Sequence, residues 1–67
     1  MEQIFKIGSV SSASRAKRAL TEQSIKGRLT KTEGGEEGCT WGIAVIGRES
    51  ERAARVLREA GIRYEAL

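Results

Sequence analysis

The sequence has no histidine, no proline and a single cysteine, Cys39, among its 67 residues. Without histidine, catalytic triads and general bases that depend on an imidazole titrating near neutral pH are excluded. A lone cysteine excludes an internal disulfide, and without a cysteine and histidine cluster no structural zinc site is expected. We therefore expect no metal and no cofactor, and an enzyme built on this chain would have to use Cys39, carboxylates or lysine.

The chain is also too short for more than one domain. A domain of this size removes only about 60% of its unfolded surface from water, so its stability margin is small. We expect residues 1–67 to form one domain supported by self-association, as a homodimer or higher oligomer. The sequence contains no run of 18 apolar residues and no signal-like N-terminus, which predicts a cytoplasmic protein with no membrane partner.

Hydrophobic periodicity predicts four strands and two helices. The strands are expected at residues 2–8, 25–32, 41–47 and 62–67, and the helices at residues 10–23 and 49–60. Residues 33–38, with three glycines and three carboxylates, are expected to form a loop. Ser11 or Ser12 is expected to cap the first helix, and Gly61 to end the second.

A shift of 37 positions superimposes the two helical segments. The identical residues are Arg15, Ala16, Arg18, Leu20, Glu22 and Ile25 in the first segment and Arg52, Ala53, Arg55, Leu57, Glu59 and Ile62 in the second. Two related strand–helix–strand units joined by a hairpin form a ferredoxin-like βαββαβ plait. We therefore predict an α+β fold with a four-stranded antiparallel sheet and both helices on one face.

Strand parity assigns each residue to one face of this sheet. The residues expected to face the helices are Phe5, Ile7, Ile25, Leu29, Ile43, Val45, Ile62 and Tyr64. Those expected on the open face are Ile4, Lys6, Lys26, Arg28, Ala44, Ile46, Arg63 and Glu65. On the open face, Ile4, Ala44 and Ile46 form a small apolar patch rimmed by charge, which we interpret as a dimerisation interface.

Plaits of this size often bind RNA by stacking bases on aromatic residues of the central strands. Phe5 and Trp41 instead share the parity of the core positions, so nucleic acid is not the expected partner. Weak, salt-dependent binding of RNA through the basic first half of the chain is kept as a further hypothesis. The residues expected to carry this binding are Lys6, Arg15, Lys17, Arg18, Lys26 and Arg28.

Gly8, Ser9, Ser11 and Ser12 lie between the first strand and the first helix. Helix capping explains these serines. A second interpretation is an anion or phosphate pocket assisted by Arg15, because exposed N–H groups and the helix dipole favour anions there. The glycine spacing matches neither the Walker loop nor the dinucleotide fingerprint.

Cys39 lies between the acidic loop and the most apolar strand. Glu36 and Glu37 are close in sequence and raise the pKa of the thiol by like-charge repulsion, so a reactive thiol needs a basic group from elsewhere. Two interpretations remain open: a small, half-buried apolar side chain, and a reactive cysteine.

One pattern spans nearly the whole chain. It comprises Phe5, Ser9, Ser12-Ala13, Ala16-Lys17, Leu20 and Ile25, then Gly38-Cys39, Gly42-Ile43-Ala44, Ala53, Leu57 and Ala60-Gly61-Ile62. This pattern resembles the selenium/sulfur carrier-like family of small bacterial proteins. The resemblance implies a ferredoxin-like plait that carries sulfur or selenium on Cys39, as a persulfide or selenenylsulfide. It also implies a donor enzyme and an acceptor as partners, and no catalytic turnover of its own.

An alternative hypothesis treats Cys39 as structural. The protein would then be a regulatory or scaffolding module that binds a protein or a small ligand through the open face of its sheet.

Overall fold

The chain folds as two strand–helix–strand units in a computed structural model. The structure describes the backbone of residues 1–33 and 39–67 and the side chains of residues 1–32 and 40–67. The first unit comprises β1 (Glu2–Gly8), α1 (Val10–Glu22) and β2 (Gly27–Glu33). The second comprises β3 (Cys39–Ile46), a 3-10 turn (Gly47–Glu49), α2 (Ser50–Glu59) and β4 (Glu65–Ala66). Most of the predicted acidic loop, residues 34–38, lies outside the described residues.

The strands form one antiparallel sheet in the order β2-β3-β1-β4. β3 is central, since it pairs with β1 on one side and with β2 on the other. This strand order, with two helices in the connections, is that of a ferredoxin-like plait, so the predicted α+β fold is confirmed. β4 pairs with β1 at only two positions, opposite Phe5 and Lys6.

The core lies between the sheet and the two helices. β1 and β3 contribute Phe5, Ile43 and Val45, and the segments just after the two helices contribute Ile25 and Ile62. The helices contribute Ala13, Ala16, Leu20, Ala53 and Leu57. Ile7, Leu29 and Tyr64 are half-buried against this cluster, so every residue predicted to face the helices belongs to the core or packs against it, although Ile25, Ile62 and Tyr64 lie outside the strands. Because three of the five helical core residues are alanine, the helices approach the sheet closely and fill little volume.

Ser9 caps α1, and the prediction of Ser11 or Ser12 is wrong. The Ser12 N–H donates to the Ser9 hydroxyl oxygen at 3.2 Å, and the Ala13 N–H donates to the Ser9 carbonyl at 3.0 Å. Ser9 has an extended backbone (φ −71°, ψ 156°), as an N-cap requires. Ser11 and Ser12 already lie within the first helical turn, and helical periodicity alone does not distinguish such adjacent positions.

Both helices end in the same Schellman motif, which makes the internal repeat visible in three dimensions. The Ile25 N–H donates to the Leu20 carbonyl at 2.9 Å, and the Ile62 N–H donates to the Leu57 carbonyl at 2.9 Å. These two pairs are related by the same shift of 37 positions as the sequence repeat. The motif also explains why β4 is shorter than the predicted strand at residues 62–67, since Ile62 still belongs to the helix end.

The two motifs differ at the residue with left-handed backbone. In α2 this residue is Gly61 (φ 73°), as predicted, whereas in α1 it is Ser24 (φ 62°). A left-handed conformation brings the Cβ of an L-residue close to the following carbonyl oxygen, and glycine has no Cβ. Ser24 therefore carries backbone strain that Gly61 avoids.

The first prediction concerns this pair of helix ends. Gly61→Ser is expected to lower the free energy of unfolding by about 1 kcal/mol. Ser24→Gly is expected to raise it by a smaller amount, because glycine relieves the strain but also increases the entropy of the unfolded chain. Urea unfolding followed by Trp41 fluorescence measures both changes.

The matched control for Ser24→Gly is Lys26→Gly. Lys26 is exposed and lies outside the positive-φ positions, so glycine there brings only the entropic cost and should be destabilising. Equal changes in the free energy of unfolding for Ser24→Gly and Lys26→Gly would contradict the assignment of backbone strain to Ser24.

Gly42 lies at a crowded backbone position of β3. A Cβ at this position would lie 2.6 Å from the Phe5 carbonyl oxygen and 3.1 Å from the Thr32 Cγ2. The register between β1 and β3 shifts between Lys6 and Gly8 just beyond this point. The central strand therefore has no room for a side chain here.

Gly42→Ala is expected to lower the free energy of unfolding by about 2 kcal/mol, since the new methyl group can only be accommodated by moving the β1 backbone. Gly47→Ala is the control, because its Cβ would meet the Met1 carbonyl oxygen at 3.1 Å, a looser contact than the 2.6 Å at Gly42. If Gly42→Ala lowered the free energy of unfolding no more than Gly47→Ala does, β1 and β3 would be able to move apart at little cost.

Candidate functional site

Cys39 is the first residue of β3, at one end of the sheet. Its backbone partner is Glu33, the last residue of β2. The thiol itself lies outside the described side chains, so the reactive cysteine stays a prediction. Trp41, two residues further along β3, is the nearest described aromatic side chain in sequence, and it is half-buried against the core.

A cation lies at the same end of the sheet. Lys31 of β2 is the register partner of Trp41, and the Lys31 Nζ lies 5.5 Å from the centroid of the Trp41 ring. A cation–π contact of this kind at an exposed position contributes about 0.5–1 kcal/mol. The sequence pattern did not point to Lys31, because its pairing with Trp41 depends on the β2–β3 register.

The predicted anion pocket coincides with the start of α1. The Ser9 hydroxyl accepts from the Ser12 N–H at 3.2 Å and donates to the Ser12 hydroxyl at 3.1 Å. Ser11 and Arg15 are exposed, and Gly8 has a positive φ of 128°. Helix capping thus accounts for Ser9 and Ser12, while the anion pocket stays a prediction.

The predicted interface patch of Ile4, Ala44 and Ile46 exposes less apolar surface than its three side chains would if all were accessible. Ala44 is only 2% exposed, Ile46 is 46% exposed and Ile4 is half-buried. Ala44 has Ile4 as its partner on one side and Arg28 on the other. The accessible apolar surface on the open face therefore comes mainly from Ile46 and part of Ile4.

An ion pair crosses the open face above the central strand. The Arg28 Nη2 donates to the Glu2 Oε1 at 2.9 Å and to the Glu2 Oε2 at 3.2 Å. Glu2 is on β1 and Arg28 is on β2, so the pair spans β3 beside Ala44. Both side chains are more than half exposed, and such a pair contributes at most about 1 kcal/mol. Arg28 is the register partner of Ala44, so the ion pair lies beside this buried residue.

All three aromatic side chains lie on the helix side of the sheet. Phe5 is buried, and its ring contacts Tyr64 edge-to-face with centroids 5.3 Å apart. Trp41 and Tyr64 pack against the core. The open face consequently presents no aromatic ring on which a base could stack, in contrast to RNA-binding plaits.

Two negative findings apply to the described part of the chain. It contains no group of three or more His, Cys, Asp or Glu residues placed to hold a metal ion. None of its helices has the length and apolar character needed to cross a membrane.

Comparison with known proteins finds no matching family model and no match among curated proteins. The resemblance to selenium/sulfur carrier-like proteins therefore stays a prediction based on the residues quoted for it. The fold assignment is independent of that resemblance, since it follows from the strand order and the two helices.

Proposed function

We propose that this protein is a small carrier domain, without catalytic turnover, that holds sulfur or selenium on Cys39. The observation that carries the proposal is the position of the only thiol, on the first residue of β3 at one end of the sheet. Cys39 is at the end of β3, whereas the middle of the strand is buried at Ile43 and Val45. The sequence resemblance to carrier-like proteins supports the same role.

The transfer step is a thiol–persulfide exchange. A cysteine desulfurase that acts as donor holds a persulfide made from free cysteine. The Cys39 thiolate attacks the outer sulfur of that persulfide, the sulfur–sulfur bond of the donor breaks, and the donor thiolate leaves. A new sulfur–sulfur bond on Cys39 replaces the bond that was broken, so no external oxidant is required. An acceptor thiolate reverses these roles and regenerates the Cys39 thiolate.

Lys31 is a described cation at the same end of the sheet as Cys39. Two carboxylates, Glu36 and Glu37, precede Cys39 in the sequence, and a reactive thiolate needs a positive charge to offset them. The contact between the Lys31 Nζ and the Trp41 ring keeps that charge at the β3 end where Cys39 lies.

Incubation with a cysteine desulfurase and free cysteine tests the proposal. The intact mass of the wild-type protein is expected to increase by one sulfur atom, and a reducing thiol should remove the addition. Cys39→Ser should show no increase, and its urea unfolding curve should match that of wild type. An unmodified wild type, or equal addition to Cys39→Ser, would contradict the carrier role.

A second candidate function follows from the open sheet face. The face opposite the helices carries Ile46 at 46% exposure, next to Ile4, and no helix of the described chain covers it. We propose, as the alternative, a regulatory or scaffolding module that binds a protein or a small ligand through this face, with Cys39 structural. A second copy of the chain is the simplest protein partner, because self-association supports small cores.

Sedimentation velocity tests the self-association that this alternative implies. Ile46→Asp is expected to convert the oligomer to monomer, because it places a charge in the apolar part of the interface, while Cys39→Ser should leave sedimentation unchanged. Val10→Asp is the matched control, since Val10 is 48% exposed and lies on α1 rather than on the open face. A monomeric wild type, or an unchanged Ile46→Asp, would count against this interface.

A further inference from the structure

α2 carries three arginines at three-residue spacing, Arg52, Arg55 and Arg58. Together with Glu51 and Ala54 they line a shallow depression of about 390 Å³. All three arginines are exposed. The depression lies on the exposed surface of α2.

Arg52 is fixed by contacts from two other segments. Its Nη1 donates to the Glu49 Oε2 at 2.8 Å, and its Nη2 donates to the Gln23 carbonyl at 3.0 Å. Gln23 is the C-cap of α1, so a free carbonyl at the end of one helix orients an arginine at the start of the other. The guanidinium is consequently held in place before any ligand binds.

Arg58 is fixed at the other end of the depression. Its Nη1 donates to the Tyr64 hydroxyl oxygen at 3.0 Å, and the Tyr64 ring packs edge-to-face on the buried Phe5. Arg55, between the two, makes no side-chain hydrogen bond to any described residue. Two oriented guanidinium groups therefore flank a third with all of its donors available.

We propose that this depression, the α2 arginine site, binds a small oxyanion with two or more negative charges, of the phosphate class. Guanidinium donors match the oxygen geometry of phosphate, and groups already held in place lose less entropy on binding. Glu51 lines the same depression, and its carboxylate opposes anions. A singly charged anion gains little against that repulsion, whereas a multiply charged anion can contact several guanidinium groups at once.

The internal repeat distinguishes a local site from a basic surface. The positions in α1 equivalent to Arg52, Arg55 and Arg58 are Arg15, Arg18 and Thr21. α1 thus lacks the third arginine, and Arg15 and Arg18 make no side-chain hydrogen bonds within the described residues. Non-specific binding of a polyanion would involve the basic residues of both helices equally, whereas the proposed site involves those of α2 alone.

Titration with pyrophosphate at constant ionic strength, followed by NMR of backbone and arginine N–H groups, tests the site. Saturable shifts are expected on α2 and at Tyr64. Arg55→Gln should weaken binding about tenfold, the loss typical of one charge-assisted hydrogen bond. Arg18→Gln makes the same charge change at the equivalent position of α1 and should alter affinity less than about twofold. Glu51→Gln should strengthen binding by removing the opposing charge.

Several results would overturn the proposal. The first is no saturable binding of pyrophosphate by wild type. The second is equal weakening by Arg18→Gln and Arg55→Gln, which would indicate non-specific attraction to the helical layer. The third is tight binding of a single-stranded oligonucleotide with equal sensitivity in α1 and α2, which would assign the surface to a nucleic acid. Cys39→Ser should bind pyrophosphate like wild type, so this outcome is independent of the carrier role.

Discussion

The pairing of β3 with β1 and β2 is the constraint on which the rest of the structure depends. It directs Ile43 and Val45 beneath the helices, where both are fully buried, and places Ala44 on the opposite side. It also brings Gly42 against the Phe5 carbonyl and sets Cys39 at the end of the sheet. A thin core built on alanine-faced helices cannot compensate for a shift in this register, because a shift of one residue would exchange the two faces of the central strand.

The two halves of the chain share one structural plan and differ in detail. Both helices bury a leucine and end in a Schellman motif, with the same separation of 37 positions throughout. The second half has the unstrained Gly61, and it also has Arg58 with its contact to Tyr64. The first half has Ser24 at the strained position. The half whose helix ends without backbone strain is thus the same half that carries the oriented arginines.

The candidate sites occupy different parts of the molecule and need different chemistry. The end of β3 holds the backbone of Cys39 and the contact between Lys31 and Trp41, and the proposed carrier role would use the thiol for exchange of a sulfur atom. The outer surface of α2 offers guanidinium donors held by Gln23 and Tyr64, which suits recognition of phosphate oxygens. The open sheet face, crossed by the ion pair of Glu2 and Arg28, offers a small apolar area around Ile46. No residue is shared among these regions, so each can be altered by substitution without removing the others.

The sequence by itself determined the fold and the faces of its elements. Period-two alternation placed Phe5, Ile43 and Val45 on the core side, and helical spacing placed Ala16, Leu20 and Leu57 there, because burial demands the same periodicity wherever the element packs. The missing histidine and the single cysteine likewise narrowed the chemistry that the chain can perform. Local patterns of this kind extend over a few residues and carry no information about strand register.

Only the tertiary structure decided which distant residues meet. The ion pair of Glu2 with Arg28 depends on the pairing of both outer strands with β3, and the contact of Lys31 with Trp41 depends on the β2–β3 register. The orientation of Arg52 by Gln23 and of Arg58 by Tyr64 depends on how the two helices and β4 are arranged around the sheet. Contacts between elements follow from register and helix placement, which are set by packing of the whole domain, so they could not be predicted from local periodicity.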